Sequence, residues 1–329
     1  MKVIALANGG FALPTLCALR DSRHELAAIV AMPDRTRNKD GGKGTSPVRL
    51  AMRESLSKIP FYDPDNVNSP EGVALIRSLG ADLIFICDYG RILSKEIIES
   101  TKYGGVNLHG SLLPKYRGAA PINRSIQAGE RELGVSVIWI EPKVDAGPIL
   151  EMESYVPSLE DTAIEIEERL SRMGAPLVIK AIDKIEAGTA VALPQRGEEA
   201  TKAPKLRKEE GRIDWTRSSL EILHQYRAFQ PWPRTYADWV KVKSPETAPV
   251  RLILGPFALH TETGESFILD EKSRQARSGE ILKATGKELW IRTGDGAIRA
   301  LAVQPAGRKN MPVDSFLRGY PLAVGDCLL

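Results

Sequence analysis

The sequence has 329 residues, of which 43% are hydrophobic and 26% charged, so it can bury a large core and form two globular domains. No stretch approaches the roughly 18 apolar residues that a membrane helix needs, and the first residues resemble a strand rather than a signal peptide, so we expect a cytoplasmic protein. Three widely spaced cysteines, Cys17, Cys87 and Cys327, predict buried free thiols and argue against disulfides or a cysteine-built zinc site.

Positive charge is concentrated in the C-terminal part of the chain. Residues 201–329 hold 21 basic and 15 acidic side chains, whereas residues 1–200 hold 24 basic and 27 acidic ones. A basic C-terminal part suggests a polyanionic partner, because contacts between cationic side chains and phosphates release counterions. A solvated charged surface would give the same counts, so the charge alone leaves both interpretations open.

Short apolar runs alternate with helical patterns through the first part of the chain. This alternation predicts a mostly parallel sheet with helices on its faces, the architecture of an α/β domain. The pattern predicts strands at 2–7, 26–31, 83–87, 105–108, 135–139 and 149–156, and helices at 11–20, 47–56, 94–100, 119–128 and 161–187.

The second part of the chain has a different character. Residues 189–207 are rich in Gly, Pro, Thr, Glu and Lys without periodicity, which predicts a linker between an N-terminal domain over 1–188 and a C-terminal domain over 208–329. A helix near 218–229 is followed by short β-rich runs that Gly-containing turns separate, a pattern that favours a small β-barrel of the OB type. These runs lie at 250–254, 280–284, 289–293 and 297–303.

The most informative polar residues follow the predicted strand at 105–108. Alternation along a strand puts Asn107 and His109 on the same face, at the carboxyl end where open α/β sheets bind ligands. The next predicted strand leads into a loop that carries Asp145 shortly before a glycine. An amide that stabilises an oxyanion, an imidazole that transfers a proton and a carboxylate that orients it suit acyl transfer. Each residue taken alone has an ordinary structural interpretation.

These residues, within the run from Gly104 to Ile122 and the later Asp145, resemble the formyltransferase family that uses 10-formyltetrahydrofolate. That family carries an Asn-x-His strand, a Ser-Leu-Leu-Pro-x-x-Arg-Gly loop and a downstream Asp. The resemblance implies a Rossmann-like domain in which Asn107, His109 and Asp145 are catalytic and 10-formyltetrahydrofolate is the formyl-donor substrate. It also implies a folate site formed by Ser111, Leu112, Leu113, Pro114, Cys87, Tyr89 and Gly90.

The remainder of the chain resembles the members of that family that act on methionyl-tRNA. Matching segments run from Lys205 to Trp215, from Arg227 to Pro233, from Thr293 to Gly296 and from Leu301 to Lys309. The resemblance implies that initiator methionyl-tRNA is the partner, that an OB-like barrel helps to hold it, and that the product serves translation initiation; we expect a monomer. The alternative is a formyltransferase for an amino sugar or another small amine, and a non-catalytic folate-binding or tRNA-binding protein is a third hypothesis.

Two basic segments are candidates for phosphate contacts. One is the Gly-rich loop near 33–47, whose counterpart in the family inserts toward the tRNA acceptor end; the other follows the predicted linker. Composition alone would describe the first as a solvated loop. The candidate tRNA-binding residues are Arg35, Arg37, Lys39, Lys43, Arg49, Lys205, Arg207 and Lys208.

Two short segments depart from the family pattern. Relatives usually have Gly-Thr-Pro-Glu-Phe-Ala where this chain has Ala-Asn-Gly-Gly-Phe-Ala from Ala7, near the expected amine site. Relatives have Tyr-Gly-x-Ile-Leu-Pro where this chain has Tyr-Gly-Arg-Ile-Leu-Ser from Tyr89, with a serine in place of the final proline. Arg91 in this segment is either a surface residue or a contributor to folate binding. The first segment lacks Gly-x-Gly-x-x-Gly spacing, so NAD is not expected. The four histidines are scattered, so we expect no metal.

Overall fold

A computed structural model describes residues 1–34, 45–242, 246–260 and 263–329. The chain divides into two compact units. The first comprises Met1–Ile122, Arg131–Ser158 and Glu165–Lys205, and the second Asn123–Glu130, Leu159–Ile164 and Leu206–Leu329. Among the helices of the described ranges, none combines the length and the apolar character that crossing a bilayer requires.

The first 205 residues contain nine strands and six α-helices in the part that the structure describes. The strands are β1 (Lys2–Ala7), β2 (Glu25–Val30), β3 (Phe61–Tyr62), β4 (Leu83–Cys87), β5 (Gly105–His109), β6 (Arg117–Gly118), β7 (Leu133–Trp139), β8 (Ile149–Tyr155) and β9 (Lys202–Ala203). The helices are α1 (Leu13–Asp21), α2 (Pro47–Ala51), α3 (Pro70–Ser78), α4 (Lys95–Ile98), α5 (Pro121–Gln127) and α6 (Ala163–Glu186).

Seven of these strands form one sheet in the order β3-β2-β1-β4-β5-β7-β8. The five strands from β3 to β5 in that order are parallel, and β7 runs antiparallel to β5, so the predicted mostly parallel sheet is confirmed. Residues Val3 to Ala7 of β1 are all fully buried, as expected for a strand with helices on both faces. Helix α6 approaches β5 closely, since a Cβ on Gly174 would lie 2.6 Å from a methyl of Leu108.

Several sequence predictions for this unit need adjustment. The helix predicted over 47–56 ends as an α-helix at Ala51 and continues in turns, while α3 and β3 were not predicted. The three cysteines are free thiols, but only Cys87 is buried. The prediction of burial is wrong for the half-buried Cys17 and Cys327, because apolar neighbours in sequence do not ensure burial once the chain is folded.

The second unit contains the antiparallel part of the molecule. Its later helices are α7 (Ser219–Ala228), α8 (Glu271–Gln275) and α9 (Val313–Gly319). Its strands are β10 (Tyr236–Val240), β11 (Val250–Leu254), β12 (Phe257–Ala258), β13 (Ile281–Thr285), β14 (Glu288–Arg292), β15 (Ala297–Ala300), β16 (Ala302–Pro305), β17 (Met311–Pro312) and β18 (Cys327–Leu328).

These strands form two sheets, in the orders β17-β16-β11-β10-β18 and β12-β15-β14-β13. An apolar cluster of the described residues, which includes Trp215, Trp239 and Phe316, forms the core of the unit. The predicted β-rich C-terminal domain is therefore confirmed, although the run predicted as one strand over 297–303 is divided between β15 and β16. Helix α7 begins where its sequence predicts, because the Ser218 hydroxyl accepts the backbone N–H of Glu221 and the Glu221 carboxylate accepts that of Ser218.

Candidate active site

The predicted catalytic residues meet beside the carboxyl end of β5. The side-chain amide of Asn107 donates to Asp145 Oδ1 at 3.4 Å, and His109 Nδ1 lies 3.6 Å from Asp145 Oδ2. Asn107 and His109 reach the same carboxylate because alternation along β5 directs them to one face of the sheet. The His109 and Asp145 side chains are only 6% and 14% exposed, so their interaction is weakly screened by solvent.

The loop after β7 presents Asp145 in an unusual backbone conformation. Its φ is +50°, in the left-handed region that a residue other than glycine seldom adopts. The backbone N–H of Gly118 donates to Asp145 Oδ2 at 2.8 Å, so each carboxylate oxygen accepts one hydrogen bond. Such a conformation persists when surrounding contacts hold it, and it is often found at functional sites.

The second ring nitrogen of His109 is also engaged. Nε2 lies 2.9 Å from the carbonyl oxygen of Tyr116, and because a carbonyl only accepts, Nε2 carries a proton. The other nitrogen, Nδ1, faces Asp145 Oδ2 at 3.6 Å, which is within ion-pair distance but too long for a hydrogen bond. The arrangement fixes the ring plane of His109 and is suited to holding a positive charge, or passing a proton, next to a reacting carbonyl.

The first departure from the family pattern has a structural explanation. A Cβ on Gly9 would lie 2.3 Å from Asp88 Oδ2, so the Asp88 side chain occupies the space that a larger residue would need. Asp88 follows β4, and the order β1-β4-β5 places Asn8, Asp88 and His109 at the ends of three neighbouring strands. The Asp88 carboxylate therefore lies at the same end of the sheet as the carboxyl end of β5, which carries Asn107 and His109.

Asp88 is exposed and desolvated at the same time. Its side chain is exposed, yet surrounding protein desolvates the carboxyl and raises its pKa from 3.8 to about 6, although the Phe11 N–H donates to it. Desolvation and the nearby Asp88 charge also raise the pKa of Glu167. Burial and the same charge raise the pKa of the Cys87 thiol, which favours the unreactive thiol over the thiolate.

The residues predicted to form the folate site differ in accessibility. Cys87, Tyr89, Ser111 and Leu113 are buried, so their side chains offer little surface to a ligand. The Ser111 hydroxyl donates to the carbonyl of Lys115, which stabilises the loop itself. Leu112, Pro114 and Gly90 are partly or fully exposed, and any contact of this loop with folate would come mainly from them and from the backbone.

The second departure concerns Arg91. Its guanidinium donates to the side chain of Asn66 and to the carbonyl of Asp65, and the side chain is exposed. Of the two interpretations of Arg91, the surface residue agrees with these contacts.

The predicted tRNA-binding residues fall into three groups. Arg35, Arg37, Lys39 and Lys43 lie outside the described residues. Arg49 makes ion pairs with Asp34 at 3.2 Å and Asp63 at 2.6 Å, so its charge is balanced locally. The third group is exposed and comprises Lys205, Arg207 and Lys208.

A further residue of the site, Gln195, lies in the predicted linker and was not predicted. Its side-chain amide donates to the carbonyl oxygens of Asp145 at 2.9 Å and Gly147 at 2.7 Å. Its oxygen accepts the Arg117 guanidinium at 3.0 and 2.7 Å. Neither spacing nor composition could reveal a contact between residues 50 positions apart.

A separate group of possible metal ligands consists of His24, Asp183 and Glu186, whose ligand atoms lie within 4.8 Å of one another. The two carboxylates already form ion pairs with Arg23 at 2.7 and 2.6 Å. The group is therefore an ion-pair cluster in which Arg23 balances the negative charge of the two carboxylates.

Comparison with known proteins adds to this geometry. The family model described as Formyl transferase matches residues 1–182, and that described as Formyl transferase, C-terminal domain, matches residues 205–321. A protein of Moorella thermoacetica named methionyl-tRNA formyltransferase is 34% identical over 328 residues, covering 100% of this chain and 99% of the relative. One of the same name from Methylacidiphilum infernorum is 36% identical over 331 residues, covering 100% and 98%.

A solved structure shares the fold. The N-formyltransferase of Helicobacter canadensis, in complex with folinic acid and dTDP-3-aminofucose, superposes with a TM-score of 0.60 at 18% identity. The match covers 91% of this chain and 98% of that structure. The two family models, the full-length relatives and the site at the end of β5 lead to one conclusion: the chain belongs to the formyl transferase family.

Proposed function

We propose that this enzyme transfers the formyl group of 10-formyltetrahydrofolate to the α-amine of initiator methionyl-tRNA, for translation initiation. The observation that carries the proposal is the meeting of Asn107, His109 and Asp145 at one end of the sheet. The acceptor is taken from the full-length relatives, whose likeness extends through both units of this chain.

The reaction begins with attack of the neutral α-amine on the formyl carbon of the donor. The attack forms a C–N bond and a tetrahedral intermediate whose former carbonyl oxygen is negative. One N–H of the Asn107 amide is used by Asp145, and the other can donate to that oxygen. Collapse of the intermediate breaks the bond to N10 of the folate and releases tetrahydrofolate.

The proton balance requires one group near the intermediate. The attacking nitrogen must lose a proton and the leaving N10 must gain one, so a single imidazole can pass the proton from one to the other. In this proposal Nδ1 of His109 takes the proton from the attacking nitrogen and returns it to N10, while the Nε2 bond to the Tyr116 carbonyl keeps the ring oriented beside Asp145. The same contacts suit a cationic partner of the oxyanion, and the pH dependence of kcat distinguishes the two roles.

The tRNA is held, in this proposal, by cationic side chains of residues 208–329 and of the segment that precedes them. Lys205, Arg207 and Lys208 are exposed, as phosphate contacts require. We divide the chain accordingly into a catalytic domain over 1–188, a connecting segment over 189–207 and a tRNA-binding domain over 208–329. A cytoplasmic monomer is the form we propose, and light scattering of the purified protein tests the monomer.

The alternative acceptor is an amino sugar or another small amine, since the solved N-formyltransferase that shares the fold is in complex with dTDP-3-aminofucose. A panel of acceptors decides between them: methionyl-tRNA, an amino sugar nucleotide and free methionine are offered with the same formyl donor. We expect label in methionyl-tRNA at a kcat/KM at least 100-fold above that of either small amine. Label in the sugar alone would refute the proposed acceptor, and release of formate without any acceptor would indicate a hydrolase.

A further inference from the structure

The segment from residue 193 to residue 203, which we call the strap, is attached at both ends to the loops of the candidate active site. At one end, Leu193 and Ile149 exchange two backbone hydrogen bonds of 2.8 Å, which tie the strap to the strand after the Asp145 loop. At the other end, β9 pairs with β6, beside the Gly118 N–H that donates to Asp145. The strap is therefore part of the first unit and spans the two loops that meet at Asp145.

Gln195 stands between these attachments and uses its whole side-chain amide. Both N–H bonds are directed to the carbonyl oxygens of Asp145 and Gly147, and the oxygen accepts two bonds from Arg117. The orientation of the amide is unambiguous, because carbonyls only accept and a guanidinium only donates. Gln195 thus joins the loop that carries Gly118 to the loop that carries Asp145.

The Asp145 loop needs such support. Residues other than glycine seldom adopt the left-handed conformation seen at Asp145, so surrounding contacts are needed to hold the loop in it. The Gln195 amide fixes the carbonyls on both sides of Ala146 and thereby the plane from which the Asp145 carboxylate projects. The carboxylate in turn contacts Asn107 and His109.

We infer that Gln195 is a positioning residue for formyl transfer, which acts by holding the Asp145 loop and through it Asn107 and His109. The inference rests on the proposed function, since it assigns Asp145 to the reaction. Gln195 does not itself contact the reacting atoms. Its loss should therefore lower kcat while leaving the KM values for the folate and the tRNA nearly unchanged.

The test uses the full chain and three variants. Gln195→Glu keeps the size and the acceptor for Arg117 but cannot donate to the two carbonyls, and Gln195→Ala removes all four bonds. The nearby Gly197→Ala is the control, because Gly197 lies in the same segment, carries no charge, and would place its added Cβ with no atom within 4 Å. We expect kcat to fall about 10- to 100-fold for both Gln195 variants, because displacement of a catalytic group by a fraction of an ångström to about 1 Å has an effect of this size. The kcat of the control should stay within about twofold of the parent.

A double-mutant cycle with Asp145→Ala separates positioning from a merely structural role. If Gln195 acts through Asp145, Gln195→Ala lowers kcat no further once Asp145 is absent, because the two changes remove one function. Full multiplication of the two losses would overturn the inference, as would a kcat for folded Gln195→Glu within twofold of the parent. If Gln195→Ala does not fold, the cycle is run with Gln195→Glu. Parental activity of Asp145→Ala alone would refute the catalytic assignment in the proposed function instead.

Discussion

Gly147→Ala should disable the enzyme through a single added methyl group. A Cβ at this position would lie 1.8 Å from the carbonyl oxygen of Trp139 and 2.8 Å from its carbonyl carbon. Ordinary van der Waals contact begins near 3.4 Å, so the two backbones must separate by about 1.6 Å. Since the displaced loop carries Asp145 two residues earlier, and an error of about 1 Å can cost about 100-fold in rate, we expect kcat to fall about 100-fold.

The same change should also lower stability. Forcing a methyl group into a well-packed site typically costs about 1 to 3 kcal/mol, and the cost is higher where the obstacle is backbone, so folding is measured together with turnover. The assay is single-turnover formyl transfer together with thermal unfolding. Gly197→Ala is the matched control, because no atom lies within 4 Å of the added Cβ and the backbone there is not left-handed. Parental turnover by Gly147→Ala would refute the idea that the Asp145 loop must hold this position.

Three further predictions concern charge and burial. Asp88→Asn should be about 1 kcal/mol more stable than the parent at pH 7.5 and equal to it near pH 4. Because the folded protein raises the pKa of Asp88, the protonated carboxyl stabilises the fold fully below pH 3.8 and this contribution is lost by about pH 6; the solvent exposure of the group reduces its size. Urea unfolding at both pH values measures the difference, and a difference that shrank as pH rose would contradict the prediction. Asp326→Ala should cost about 2 to 4 kcal/mol in thermal unfolding, since the buried carboxylate accepts one indole and two backbone N–H groups. The control Asp314→Ala, which loses an ion pair with the exposed Arg318, should cost clearly less, and equal losses for the two variants would contradict this expectation. Arg207→Ala should reduce the magnitude of the slope of log affinity for methionyl-tRNA against log salt concentration by about 1, because Arg207 is exposed. Arg49→Ala should reduce it by less, because Arg49 is already paired with Asp34 and Asp63, and filter binding that gave the opposite order would contradict this expectation.

The parts of the site that follow from local pattern could be predicted from the sequence. Asn107 and His109 share a face because side chains alternate along any strand, and β5 is apolar enough to be recognised as one. Asp145 could be predicted to follow the next strand of the sheet, since the run that forms β7 is strongly apolar. β7 runs antiparallel to β5, however, and ends beside Val106, so local pattern predicts that Asn107 and His109 share a face but not that the loop after β7 brings Asp145 to them.

The parts that depend on tertiary pairing could not be predicted in this way. Gln195 lies in a segment without periodicity, and its importance arises only from the pairing of Leu193 with Ile149 and of β9 with β6. Asp88 follows an apolar strand like many surface carboxylates, and spacing does not reveal that the turn at Gly9 lies against its side chain or that its charge acts on Glu167 of α6. Such contacts join residues far apart in the chain, so spacing carries no trace of them.

The role proposed for Asn107 and Asp145 is formyl transfer to methionyl-tRNA. It is tested most directly by the kcat for formylation of initiator methionyl-tRNA, measured for the parent, Asn107→Ala and Asp145→Ala, with the exposed Asn310→Ala as control. We predict a loss of about 100- to 1000-fold for Asn107→Ala, the usual effect of removing one oxyanion donor, a comparable loss for Asp145→Ala, and an unchanged control. Turnover near that of the parent in both site variants, with folding intact, would contradict the account.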